Sequence, residues 1–126
     1  MNATTVISTD KAPAAIGPYS QAISTGSLIF TSGQLPLKPG SKDISDNIKD
    51  QARASLTNVR AILEAAGSSL QKVVKTTVYL TDISDFASVN EIYAEFFSAP
   101  FPARSCFAVK ALPLGARVEI EVIASV

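Results

Sequence analysis

The chain has 126 residues, which at roughly 100–200 residues per domain calls for a single domain with one core, taken as residues 1–126. Lysine plus arginine total 11 and aspartate plus glutamate total 11, so the net charge is zero and no global field draws nucleic acid or an acidic membrane. With no histidine and one cysteine, the chain lacks a Ser-His-Asp or Cys-His device, a histidine metal site, an intrachain disulfide and a multi-thiolate metal centre. Charged residues make up only 17% of the chain, below the usual quarter or so, which argues that part of the surface is covered by copies of itself. No apolar run approaches the ~20 residues needed to span a bilayer. The expectation is a soluble cytoplasmic protein, or a mitochondrial-matrix one if a presequence was trimmed.

In chain order, Thr4 to Ile7 reads as a short strand and Pro13 to Pro18 as irregular. Tyr19 to Ser24 and Leu28 to Ser32 form a hairpin around Thr25-Gly26-Ser27, and the prolines and glycine of Leu35 to Asp43 make a loop. From Ile44 the period changes. Ile48, Ala52, Leu56, Val59, Ile62, Leu63 and Ala66 recur at steps of three and four, predicting a helix with Ser45 as its N-cap and Gly67 at its C-terminal end. The β-branched run Lys72 to Leu80 predicts a central strand buried on both faces. Asp82 or Ser84 then caps a second helix carrying Phe86, Val89, Ile92, Tyr93, Phe96 and Phe97, stopped by Pro100 and Pro102. Strands at Arg104 to Lys110 and Arg117 to Ala124 close the chain, split by Leu112-Pro113-Leu114-Gly115. The order predicts an α+β fold with two helices on one face of a mixed sheet, leaving the other face for self-association.

The last two strands carry the most informative polar residues. Alternation puts Arg104 and Cys106 on one face of their strand, and Glu119 and Glu121 opposite the apolar Val118, Ile120 and Val122 on theirs. If the two strands pair as an antiparallel hairpin, Phe107 and Val109 join Val118 and Ile120 under the helices, and Arg104, Cys106, Glu119 and Glu121 share the other face. Two readings stay open. The charges form an ion pair at a subunit seam, or the arginine's planar fork holds a small carboxylate while a glutamate orients or deprotonates a water. Cys106 reads as a small buried hydrophobe with nothing to activate its thiol but Arg104. Tyr19, Ser32, Gly33, Gln34 and Asn90 are weaker candidates, each equally suited to satisfying local backbone groups or a turn. No phosphate-cradling loop, dinucleotide fingerprint, metal-ligand cluster or RNA-stacking motif is present.

Ala12-Pro13-Ala14-Ala15-Ile16-Gly17-Pro18-Tyr19-Ser20-Gln21-Ala22, Ser32-Gly33-Gln34, Val74-Lys75-Thr76-Thr77-Val78, Asp85-Phe86 with Val89-Asn90, Pro102-Ala103-Arg104-Ser105-Cys106 and Val118-Glu119-Ile120-Glu121 together closely resemble the RidA/YjgF/YER057c/UK114 family of reactive-intermediate deaminases. The resemblance implies a chorismate-mutase-like (YjgF-like) α+β fold, assembled as a homotrimer with equivalent clefts between subunits. It also implies hydrolysis of enamine and imine intermediates (2-aminoacrylate, 2-iminobutanoate, 2-iminopropanoate) to 2-oxo acids and ammonia, linked metabolically to PLP-dependent dehydratases. By matching motif positions, Arg104 is implied to anchor the carboxylate and Glu119 to position water. Tyr19, Ser32, Gly33, Phe86, Asn90 and Cys106 are implied to line the cleft, with Glu121 in support. Lys110 stands where relatives often carry alanine, a difference at the rim. No metal, cofactor, membrane or nucleic-acid partner is implied. Two alternatives accompany this expectation: a translation inhibitor or endoribonuclease-like protein acting on RNA, which the charge balance and absent histidine disfavour, and a noncatalytic trimer binding small carboxylates.

Overall fold

The three-and-four spacing of apolar residues after Ile44 becomes helix α1, Ile48–Ala65, in a computed structural model that describes residues 4–126. Its N-cap is Asn47 rather than Ser45. The Asn47 side chain accepts from the Lys49 and Asp50 amides at 2.9 and 3.1 Å, while Ser45 Oγ accepts from the Asn47 amide one step earlier. At the other end Gly67 takes φ +78°. Its amide donates to the Glu64 carbonyl and that of Ser68 to the Leu63 carbonyl, the double closure that a left-handed residue permits. Ala52, Leu56, Val59, Ile62 and Leu63 are fully buried, so truncating Leu56 to alanine costs about 2–5 kcal/mol. Helix α2, Phe86–Phe96, follows a short turn, Ile83–Asp85, which Asp82 caps by accepting from the Ser84 amide. Phe97 is already extended, ahead of Pro100.

Six strands form one mixed sheet: β1 (Thr5–Ile7), β2 (Ala22–Ser24), β3 (Leu28–Thr31), β4 (Val73–Leu80), β5 (Ala103–Ala108) and β6 (Val118–Ser125), in spatial order β1-β2-β3-β6-β4-β5. The predicted hairpin β2–β3 is present, but β2 starts at Ala22 because Tyr19 to Gln21 leave the ladder. Both helices pack on one face, over Ile29, Val78, Leu80, Val118, Ile120 and Val122. Strand β4 is interior, as its composition predicts, yet it is buried on one face only. Thr76, Val78 and Leu80 lie under the helices, whereas Lys75, Thr77 and Tyr79 are half-buried on the side no helix covers. No helix among the described residues is long and apolar enough to cross a membrane.

The expected pairing of the last two strands is not formed. Strand β4 lies between them, parallel to β5 and antiparallel to β6. This inverts the assignment of faces. Thr76 is paired with Arg104 and Val78 with Cys106, so those two residues point to the helix side, and Phe107, paired with Tyr79, points away from it. Glu119 and Glu121 are paired with Tyr79 and Thr77 and share the uncovered side. A strand beside an open ladder edge takes its face from the neighbour it joins, which a local turn signal does not specify.

One part-buried ion pair, Arg117 with Asp85, locks the helix ends to the sheet. Arg117 Nη2 and Nε meet the two Asp85 carboxylate oxygens at 2.7 and 3.2 Å, while Arg117 Nη1 donates to the Asp46 carbonyl. Gln51 completes the lock by accepting from the Arg117 amide and donating to the Ser45 carbonyl. The approach to α1, the entry to α2 and the start of β6 are therefore tied at one corner, which fixes the height of α2 above the sheet.

Candidate active site

Helix α2 presents Phe86, Asn90 and Tyr93 at steps of four and three, one stripe that faces the outer strand β5. Arg104 rises from β5 into that stripe. Its Nη1 donates to Asn90 Oδ1 at 2.6 Å, and its guanidinium carbon stands 4.7 Å from the Tyr93 ring centroid and 5.4 Å from that of Phe86. Among the described residues no carboxylate pairs with Arg104. The cation is exposed, because β5 is the sheet edge and the helix layer ends there. Two positions along the strand, Cys106 is half-buried against the core. Burial pushes its thiol above the ordinary value, outweighing the opposing pull of Arg104. A thiol held protonated is a poor nucleophile.

A second cluster forms on the opposite face. After β3 the chain kinks at Ser32-Gly33 and rejoins β6 at Gln34, which exchanges both backbone hydrogen bonds with Ile120. Ser32 holds the preceding segment by donating its hydroxyl to the Ser20 carbonyl at 2.6 Å, and Tyr19 stands exposed one residue before that carbonyl. Glu119 lies directly over Gly33. A Cβ there would sit 2.7 Å from Glu119 Oε2, so the absence of a side chain is what admits the carboxylate. Burial first, and the like charge of Glu121 second, hold the Glu119 carboxyl above its ordinary value. Glu121 in turn accepts from the Tyr79 hydroxyl at 3.0 Å.

The sequence-predicted residues thus fall into two groups. Phe86, Asn90, Arg104 and Cys106 share one side of the sheet edge; Gly33 and Glu119 meet on the other side, flanked by Ser32, Tyr19 and Glu121. The expectation that Arg104, Cys106, Glu119 and Glu121 occupy one face is overturned, because Arg104 and Glu119 pair with Thr76 and Tyr79, which stand three residues apart on β4 and so on opposite faces. Helical spacing groups Tyr93 with the apolar residues of α2 and gives it no other role. Tyr93 is 6% exposed, yet it also forms the floor under Arg104, a use that helical spacing does not signal. A cavity of about 660 Å³ lies elsewhere, between the proline loop and the outer side of α1, and none of the predicted site residues lines it.

A family model described as Endoribonuclease L-PSP matches residues 9–126. The RutC family protein y4sK of Sinorhizobium fredii is 57% identical over 120 residues, covering 94% of this chain and 95% of that one. The 2-iminobutanoate/2-iminopropanoate deaminase of Salmonella typhimurium is 50% identical over 121 residues, covering 94% of each. The crystal structure of E. coli TdcF with bound serine aligns with a TM-score of 0.93 at 48% identity, covering 97% of this chain and 98% of that one.

Proposed function

This chain belongs to the Endoribonuclease L-PSP family, the RidA/YjgF group, and on that premise we propose that it is a hydrolytic deaminase of 2-imino acids and their enamine tautomers, releasing 2-oxo acids and ammonia. The observation that carries the reading is the Arg104 fork. A guanidinium that meets, among the described residues, an amide oxygen and two aromatic rings but no carboxylate keeps its full charge available for a ligand carboxylate. A relative with serine bound agrees with a ligand of small amino-acid size.

Catalysis then needs a second copy of the chain. Arg104 and Glu119 lie on opposite faces, so one protomer supplies the anchor and its neighbour the water-positioning carboxylate. The uncovered sheet face favours such assembly, since Val6, Phe30 and Phe107 are 61%, 41% and 47% exposed there. The assembly is a homotrimer with equivalent clefts, in which Tyr19, Ser32, Gly33 and Glu119 of one copy face Phe86, Asn90, Arg104 and Cys106 of the next.

The chemistry follows from the groups present. An enamine such as 2-aminoacrylate takes a proton on carbon and becomes 2-iminopropanoate. Arg104 holds the imine's carboxylate, and Glu119 accepts a proton from water as its oxygen bonds to the imine carbon and the C=N electron pair moves to nitrogen. The nitrogen, which carries two protons in the iminium that carbon protonation gives, takes as its third the proton that Glu119 drew from water. The hydroxyl proton then returns to the freed Glu119 carboxylate as the C=O forms, the C–N bond breaks, and ammonia leaves with that bond's electron pair. The substrate is already electrophilic, so most of the acceleration comes from proximity and orientation. A carboxyl raised above its ordinary value is a better base once ionised, which suits Glu119 to this step.

The purified protein is coupled to a PLP-dependent dehydratase and 2-oxo acid release is followed over background. Release well above background supports the deaminase. Binding of 2-oxobutanoate without turnover would leave a carboxylate-binding protein instead. The RNA reading suggested by the family's description is separated by titrating single-stranded RNA at physiological salt, where zero net charge predicts weak, salt-sensitive binding.

A further inference from the structure

We propose that Tyr93, fixed from behind by Thr76, is a positioning residue that sets the orientation of the Arg104 fork and hence the affinity for the substrate carboxylate. The proposal rests on the functional reading above and extends it to two residues that do not touch substrate.

Tyr93 is the nearer of the two rings under the guanidinium, at 4.7 Å against 5.4 Å for Phe86. A guanidinium over a desolvated aromatic face is held by the ring's quadrupole, and its plane is constrained with it. The ring itself has little freedom. Its hydroxyl is 2.8 Å from Thr76 Oγ1 in a wholly buried contact, and the ring packs against Phe97 with centroids 4.5 Å apart. Thr76 is 0% exposed and is the β4 partner of Arg104 in the ladder. One rung of the sheet therefore carries both the arginine and the anchor of the ring beneath it. Asn90 takes Nη1, and among the described residues the other guanidinium N–H groups meet no acceptor. Phenylalanine would fill the same volume at 93; the hydroxyl's use is to pin the platform, so that the unoccupied edge of the fork points consistently into the cleft.

The test measures the dissociation constant for 2-oxobutanoate by calorimetry, the kcat and KM of imine hydrolysis, and the thermal midpoint. The proteins are wild type, Tyr93→Leu, Tyr93→Phe, Thr76→Val and the Tyr93→Phe/Thr76→Val double variant. Tyr93→Leu removes the aromatic face and is expected to raise both the dissociation constant and KM about tenfold, with kcat within about twofold of wild type. Tyr93→Phe gives a smaller rise and leaves a buried hydroxyl unpaired, which lowers the midpoint. The double variant removes both polar partners, so its midpoint recovers while its affinity stays at the Tyr93→Phe level. A purely structural tyrosine would instead make affinity follow the midpoint through the series, and that result overturns the proposal. So does wild-type affinity in Tyr93→Leu or, if that variant does not fold, in Tyr93→Phe. A wild-type protein that neither binds 2-oxobutanoate nor hydrolyses imines refutes the deaminase reading and this inference with it, whereas wild-type binding with unresponsive Tyr93 variants refutes this inference alone.

Discussion

At the α2–β5 corner a cation is left exposed and steadied by neutral groups, whereas on the opposite sheet face an acid is half-buried over a glycine and crowded by a second acid. The two arrangements perturb their groups in opposite senses. Rings and an amide oxygen orient Arg104 without cancelling its charge, as an anion anchor requires. Desolvation and like charge make Glu119 reluctant to ionise, which favours it as a proton acceptor near the working pH. Rigidity also has different sources: a helix stripe organises the first, a backbone kink the second. On the function proposed above, one half of the chain binds and the other reacts, and the two would form a single site only between copies.

The largest expected effect comes from removing the binding half. Arg104→Ala is expected to lower kcat/KM at least about 100-fold, the loss of a two-pronged charge-assisted contact. Arg104→Lys keeps the charge but loses the fork and falls in between. Mixing two variants tests whether the two halves act across copies. Arg104→Ala and Glu119→Gln proteins, each nearly inactive, are combined, allowed to exchange subunits and assayed. Random exchange restores about a quarter of the clefts if each draws its arginine and glutamate from different copies. Both intact groups then meet at some interfaces. No recovery in demonstrably mixed oligomers would place the working site within one chain.

Next in size is the reacting half. Gly33→Ala sets a Cβ 2.7 Å from Glu119 Oε2, and the flexible carboxylate, not the backbone, is what gives way. We expect kcat to fall about tenfold with little change in thermal midpoint, since a displaced base misplaces the water while the fold survives. An unchanged kcat would remove Glu119 from the reaction.

A smaller effect separates the causes of Glu119's raised pKa. A base must be ionised to act, so activity is lost as pH falls through that pKa. Glu121→Gln removes the like charge that contributes second after burial, so the acid limb of the kcat/KM profile moves to lower pH. The shift is expected to be partial, because burial, the larger cause, remains. In the proposed assembly Arg104 of a second copy would pull Glu119 the other way, but equally in both proteins, so the difference would still report Glu121. A limb that stays in place would assign the perturbation to burial alone.

The contrast between halves also explains what the sequence disclosed. Helix α1 was legible because its apolar period is local; Arg104, Glu119, Gly33 and Asn90 stand in short motifs, which is why the sequence offers them as candidates. The faces were not. Alternation tells which residues of one strand point together, but which way β5 points depends on joining β4 rather than β6, a pairing between segments far apart in the chain. Leu112 to Gly115 looked like the tip of a hairpin; it forms a tight turn with Leu114 and Gly115 at positive φ, leading to a strand on the far side of β4. The cap shift from Ser45 to Asn47 is a lesser case, two competing side chains within one turn. Tyr93 was hidden for another reason, since a buried tyrosine and a platform for a cation carry the same periodicity.

The smallest expected effect concerns Cys106, the one polar group of the binding half with no evident task there. It lies two residues from Arg104 on the same face, so a thiolate so near a cation is a natural suspicion for covalent chemistry. Burial argues against it, since it raises the thiol's pKa more than Arg104 lowers it, leaving the protonated form at neutral pH. Cys106→Ser keeps the volume nearly constant but replaces a soft apolar atom with a hydroxyl that wants a partner in a half-buried place. We therefore expect no more than about a threefold loss of kcat/KM, with a modest fall in thermal midpoint. Hydrolysis that instead collapses in Cys106→Ser while 2-oxobutanoate still binds would point to attack on the imine by sulfur, and the division into a binding half and a reacting half would have to be redrawn.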